Sequence, residues 1–163
     1  MVKKIKTCVF ISGGGTNLRS IIFSSRDYSF PLEIKLVISN NKNAKGLIYP
    51  RKYNIPYKFY TYDNKAKFEQ KCLTELKRNK IKFLCLAGFM KILSQKFITN
   101  FKYPIINIHP SLLPKFKGLN THERTLKYNE KYSGCTVHYV TPKLDSGSII
   151  LQKKIIIDKK ETP

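Results

Sequence analysis

The chain has 163 residues, 42% of them hydrophobic and 12% aromatic, which is enough for one domain with a real core and too apolar for disorder. Its opening apolar run, Cys8 to Ile11, is too short for a signal-peptide core or a membrane span, so a cytoplasmic protein with no membrane partner is expected. The net charge of +21 invites a nucleic-acid reading, but only five of the 31 basic residues are Arg and the lysines are scattered along the whole chain. That distribution reads as compositional bias, so no specific nucleic-acid partner is expected.

Strand-like and helix-like segments alternate, the pattern of an α/β domain with a mainly parallel, twisted sheet of about seven strands flanked by helices. A strand over residues 6–12 runs into Gly13-Gly14-Gly15 and a helix over 17–25. A strand over 33–39, a helical stretch over 44–53 restricted by Pro50, and a short strand over 57–60 follow. Asp63 is expected to cap a helix reaching Arg78, with Phe68, Cys72, Leu73 and Leu76 on its apolar face. A buried strand over 82–87 precedes a helix capped by Ser94 and ending near Phe101. The remaining strands are expected over 105–108, 135–140 and 148–158, with a helix over 121–129. With no repeat and no low-complexity linker, residues 1–163 read as a single domain. Thr162 and Pro163 form a helix-start signal at the last residues, as if a further helix should begin there.

Three segments carry chemistry. In Asn107-Ile108-His109-Pro110, two polar side chains end an apolar strand two residues apart, and so share a face. An amide N–H beside an imidazole suits a carbonyl carbon turning tetrahedral, which makes acyl-type transfer the first hypothesis. In Ser12-Gly13-Gly14-Gly15-Thr16-Asn17-Leu18, glycines open a helix and let backbone N–H groups gather around an anion. Leu18 replaces the third glycine of a dinucleotide fingerprint and no Lys-Ser/Thr pair follows, so a monophosphate on a small ligand fits better than a dinucleotide or ATP. Ala87-Gly88-Phe89-Met90-Lys91-Ile92-Leu93 leaves a strand as a loop that stays apolar, suited to a flat ligand. His138, mid-strand, reads as structural, and His122 as an exposed or capping residue. Asp145 on its turn gains interest only if it approaches His109. The four cysteines show no metal-ligand spacing and read as reduced core residues, so no metal is expected.

Taken in order, these motifs, with Pro110-Ser111-Leu112-Leu113-Pro114, Gly118-Leu119-Asn120-Thr121-His122 and Leu144-Asp145-Ser146-Gly147, closely resemble the phosphoribosylglycinamide formyltransferase family, along essentially the whole chain. The Asn-x-His-Pro core is shared with other folate-dependent formyltransferases; the glycine turn and Gly-Leu-x-Thr-His point to the glycinamide ribonucleotide branch. The resemblance implies a Rossmann-like formyltransferase fold and transfer of a formyl group from 10-formyltetrahydrofolate to glycinamide ribonucleotide in purine synthesis. It implies Asn107, His109 and Asp145 as the catalytic set, with Asp145 favouring the protonated ring of His109. Gly15, Thr16 and Asn17 would hold the substrate phosphate. Lys65, Met90, Lys91, Ile92, Leu93 and Asn107 would meet folate, with Phe97, Ile98 and Val140 as apolar walls. Small-molecule substrates and a monomer or homodimer are implied. So is a C-terminal helix after Pro163, which is therefore expected to be missing. The alternatives are a formyltransferase for another amine and an inactive remnant that still binds folate or phosphate.

Overall fold

The structure, a computed structural model, describes residues 3–158; the helix-start signal at Thr162 and Pro163 lies outside the described residues. The fold is α/β as expected, with a seven-stranded, mainly parallel sheet and five α-helices among the described residues. The chain divides into two compact units, the first ending at Ile105 and the second starting at Ile106.

The first unit holds β1 (Ile5–Ile11), β2 (Leu32–Ser39), β3 (Tyr57–Phe59) and β4 (Phe83–Leu86), in the order β3-β2-β1-β4 and all parallel. Parallel neighbours need crossovers, which α1 (Thr16–Ser25), α2 (Ile48–Lys52) and α3 (Lys65–Arg78) supply; α4 (Gln95–Phe101) follows β4. Strand β1 lies between β2 and β4 and is buried from Thr7 to Ile11, which explains its unbroken apolar run. Phe10 is the hub of the core, with ring centroids 6.4 Å from Phe68, 5.3 Å from Phe89 and 6.2 Å from Phe97. Burying each of these rings stabilises the fold by roughly 1.5–3 kcal/mol. Helix α3 turns Phe68, Cys72 and Leu76 inward at four-residue spacing, while Leu73 is half-buried. Its cap is Asn64, one residue beyond the expected Asp63, with Oδ1 accepting from Lys67 N–H at 2.9 Å.

The expected helix over 44–53 is split into a 3-10 turn, Lys45–Leu47, and α2. Pro50 is the third residue of α2, where a backbone N–H would have no intrahelical partner, so the proline is tolerated there. Cys8, Cys72 and Cys85 are free thiols buried in this unit. Burial pushes all three thiols up, Cys85 to about 12.

The second unit holds β5 (Ile105–His109) from its second residue on, β6 (Tyr132–Tyr139) and β7 (Ile149–Ile156), antiparallel neighbours in that order, and α5 (Thr121–Lys127). Strand β6 begins three residues before the expected start and includes Gly134. A Cβ on Gly134 would stand 2.1 Å from the Lys153 carbonyl oxygen, so only glycine permits this approach of β7. Every position of β7 is exposed. Among the described residues no helix is long and apolar enough to cross a membrane.

Candidate active site

Strand β5 delivers Asn107 and His109 to one face, as the period-two argument requires. The turn before β7 brings Asp145 back to them. Sequence spacing left the Asp145–His109 distance open; it is 3.4 Å, from Oδ2 to Nδ1, and both side chains are buried. Asp145 sits in the left-handed region at φ 42°, a conformation Asp tolerates better than most residues. Its Oδ2 also accepts from Gly118 N–H at 2.9 Å, which fixes the carboxylate against the loop over 115–120.

The ring of His109 is defined at both nitrogens. Nε2 lies 2.9 Å from the Phe116 carbonyl oxygen, which can only accept, so Nε2 carries a proton. Nδ1 faces the Asp145 carboxylate, also an acceptor. Acceptors at both nitrogens suit a ring with a proton on each. Ser111 holds the same loop, its hydroxyl donating to the Lys115 carbonyl at 2.7 Å.

His138 joins this set, although its sequence position read as structural. It lies opposite Asn107 in the β5–β6 register and is buried. Its Nδ1 donates to the Tyr139 carbonyl at 2.9 Å, leaving Nε2 to accept from the Asn107 amide at 3.3 Å. The same Nε2 is 3.6 Å from Asp145 Oδ1. His138 thus aims the amide of Asn107. The signal that could have found it is the pairing register, which one strand's sequence does not contain. His122, in contrast, is exposed on α5.

In the first unit the glycine turn leads from β1 into α1. Gly15 is the N-cap at φ +73°, where a side chain would be strained, and a Cβ there would stand 2.5 Å from Gly46 Cα. Thr16 and Asn17 begin the helix, so their N–H groups lack intrahelical partners. The first turn of α1 contains no acidic residue, which leaves its positive end available to an anion. A surface depression of about 480 Å³, lined by Thr16, Arg19, Ser20 and Phe23, shares Thr16 with this turn and contains none of the Asn107–His109–Asp145 set.

The loop over 88–93 is anchored by Phe89 and Leu93, both buried, while Met90 and Ile92 are 63% and 53% exposed. Lys91 is exposed, its ammonium 5.1 Å from the centre of the Tyr62 ring. Lys65 is exposed at the first position of α3. Phe97 is 1% exposed and packs on Phe10, so it is core rather than the pocket wall that the resemblance implied. Ile98 and Val140 are half-buried. Among the described residues no three or more His, Cys, Asp or Glu side chains gather as a metal site.

An imidazole backed by a carboxylate, with an amide donor beside it, suits chemistry at a carbonyl carbon that turns tetrahedral. The comparisons agree. The formyl transferase family model matches residues 5–163. The phosphoribosylglycinamide formyltransferase of Haemophilus influenzae is 39% identical over 155 residues, spanning 93% of this chain and 73% of the relative. The trifunctional purine biosynthetic protein adenosine-3 of Homo sapiens is 39% identical over 163 residues; the chain spans 16% of its length. The solved phosphoribosylglycinamide formyltransferase of Anaplasma phagocytophilum superimposes with a TM-score of 0.91 at 41% identity, covering 98% of this chain and 76% of that one. The chain belongs to the formyl transferase family.

Proposed function

We propose that this chain transfers the formyl group of 10-formyltetrahydrofolate to the amine of glycinamide ribonucleotide, a step of purine synthesis, as one cytoplasmic formyltransferase domain acting as a monomer or homodimer. The observation that carries the reading is the 3.4 Å approach of Asp145 to His109, in a chain whose relatives bear that enzyme's name. The folate supplies an activated one-carbon acyl group. Asn107 and His109 offer N–H donors to the oxygen that gains charge as the formyl carbon becomes tetrahedral. The Nε2 proton of His109 is held by the Phe116 carbonyl, and an oxyanion is the stronger acceptor, so the substrate oxygen takes that carbonyl's place. Asp145 faces the ring; His109 gives a proton to the folate nitrogen as its bond to the formyl carbon breaks, and the proton shed by the newly formylated amine restores the ring. Gly15, Thr16 and Asn17 are assigned the ribose phosphate because they open a helix free of acidic residues. Met90 to Leu93, with Lys65 near the acidic tail and Asn107, are assigned folate; the exposed apolar surface of Met90 and Ile92 supports this.

Competition separates this reading from a formyltransferase for another amine. With 10-formyltetrahydrofolate limiting, glycinamide ribonucleotide and an amino sugar nucleotide are offered together and the formylated products weighed by mass spectrometry. Formyl on glycinamide ribonucleotide alone is the expected result; formyl on the sugar nucleotide would reassign the acceptor.

A further inference from the structure

Ser12 follows β1 directly and has no place in the chemistry above, yet its side chain and backbone touch two separate segments. Its hydroxyl donates to Asn40 Oδ1 at 2.6 Å, just beyond the end of β2. The same oxygen accepts from the Met90 N–H at 2.8 Å. Its backbone N–H donates to the Gly88 carbonyl at 3.1 Å, and its carbonyl accepts from Asn41 Nδ2 at 3.3 Å.

The direction of this chain is enforced. A backbone N–H can only donate, so Met90 needs a lone pair, and a serine hydroxyl has one proton to place elsewhere. Asn40 Oδ1 takes that proton and turns the oxygen's lone pairs toward Met90. Ser12 is itself held by the glycine turn, where the Gly13 carbonyl accepts from Gly46 N–H at 2.9 Å. The far end of the 88–93 loop has different anchors. Tyr62 donates its hydroxyl to the Ile92 carbonyl at 3.2 Å, and the buried carboxylate of Glu69 accepts from Ser94 N–H at 2.7 Å. Removing the Ser12 hydroxyl therefore frees the Met90 peptide, while the Gly88 carbonyl, buried Phe89 and the trailing edge stay held.

We propose that Ser12, with its hydroxyl oriented by Asn40, is a positioning residue that sets the Met90 peptide for folate. The proposal rests on the assignment of residues 88–93 to folate. It predicts that Ser12→Ala raises the KM for 10-formyltetrahydrofolate about 3- to 10-fold, the effect of one lost hydrogen bond, with kcat and the KM for glycinamide ribonucleotide changed by less than about twofold. Ser12→Thr, which keeps the hydroxyl, should restore most of the loss. Asn40→Ala should raise the same KM, and the double variant should be no worse than Ser12→Ala, because the two side chains act in series. Amide hydrogen exchange, read without substrate, should be faster at Met90 in Ser12→Ala and unchanged at Ser94. Equal rises in both KM values, or a lowered Tm with the folate KM unmoved, would overturn the positioning role. If the wild-type chain bound no 10-formyltetrahydrofolate in a direct titration, the folate assignment would fall and the proposal with it. Normal wild-type binding unaffected by Ser12→Ala would sink the proposal alone.

Discussion

His109 is held from two sides, by the Asp145 carboxylate at Nδ1 and by the Phe116 carbonyl at Nε2. The two contacts differ in kind. The first is to a buried carboxylate, while the second is to a neutral carbonyl that a stronger acceptor can replace. Asp145→Asn keeps the shape of the side chain but removes the charge that faces the ring. It should lower kcat by roughly 10²–10³, the cost of removing a fixed transition-state group, while equilibrium binding of folate stays near wild type. A kcat within twofold of wild type would show that Asp145 does not act through the ring. His138→Ala releases the amide of Asn107 without deleting it. A smaller loss of roughly tenfold in kcat is expected, the value of one hydrogen bond at the upper end of its range. Steady-state assays at saturating substrates measure both.

The element that most constrains the first unit is the contact between the glycine turn and the 3-10 turn over Lys45–Leu47. A Cβ on Gly46 would meet Gly15 Cα at 2.8 Å and the Gly13 carbonyl oxygen at 3.0 Å, both backbone atoms that cannot swing away. Gly46→Ala should therefore cost about 1–3 kcal/mol in urea unfolding, as overpacking does, and should weaken binding of glycinamide ribonucleotide because the turn itself is displaced. Asn64→Ala is the control. It removes the cap of α3 and should cost about 1 kcal/mol with affinity for glycinamide ribonucleotide unchanged. The parallel strands were readable because burial on both faces writes an unbroken apolar run, as from Cys8 to Ile11. The start of β6 was not, since what Gly134 does there depends on its approach to Lys153 on the next strand. His138 escaped for a related reason: its partner is chosen by the β5–β6 register. Asp145 was a candidate whose value hung on one tertiary distance, and the role of Ser12 depends on Met90, 78 residues away in sequence.

Across the whole molecule, two bulk properties invite other readings and each makes its own prediction. Three thiols are buried and pushed up, so Cys8, Cys72 and Cys85 should resist alkylation by iodoacetamide in the native protein, and Cys135 should react first. Fast native labelling of Cys8 would contradict the packing around β1. The charge of +21 should give weak binding to duplex DNA at low salt that disappears between about 50 and 200 mM, because scattered lysines only displace counterions. Tight binding that survives physiological salt would point to a nucleic-acid function instead. Formyl transfer is assigned to His109. Tetrahydrofolate release by this 163-residue chain, with 10-formyltetrahydrofolate and glycinamide ribonucleotide both saturating, tests it most directly. The wild type should release tetrahydrofolate in step with formylated product, and His109→Ala should be slower by roughly 10²–10³. A wild-type chain that binds both substrates without transfer, or a His109→Ala variant as fast as the wild type, would contradict it.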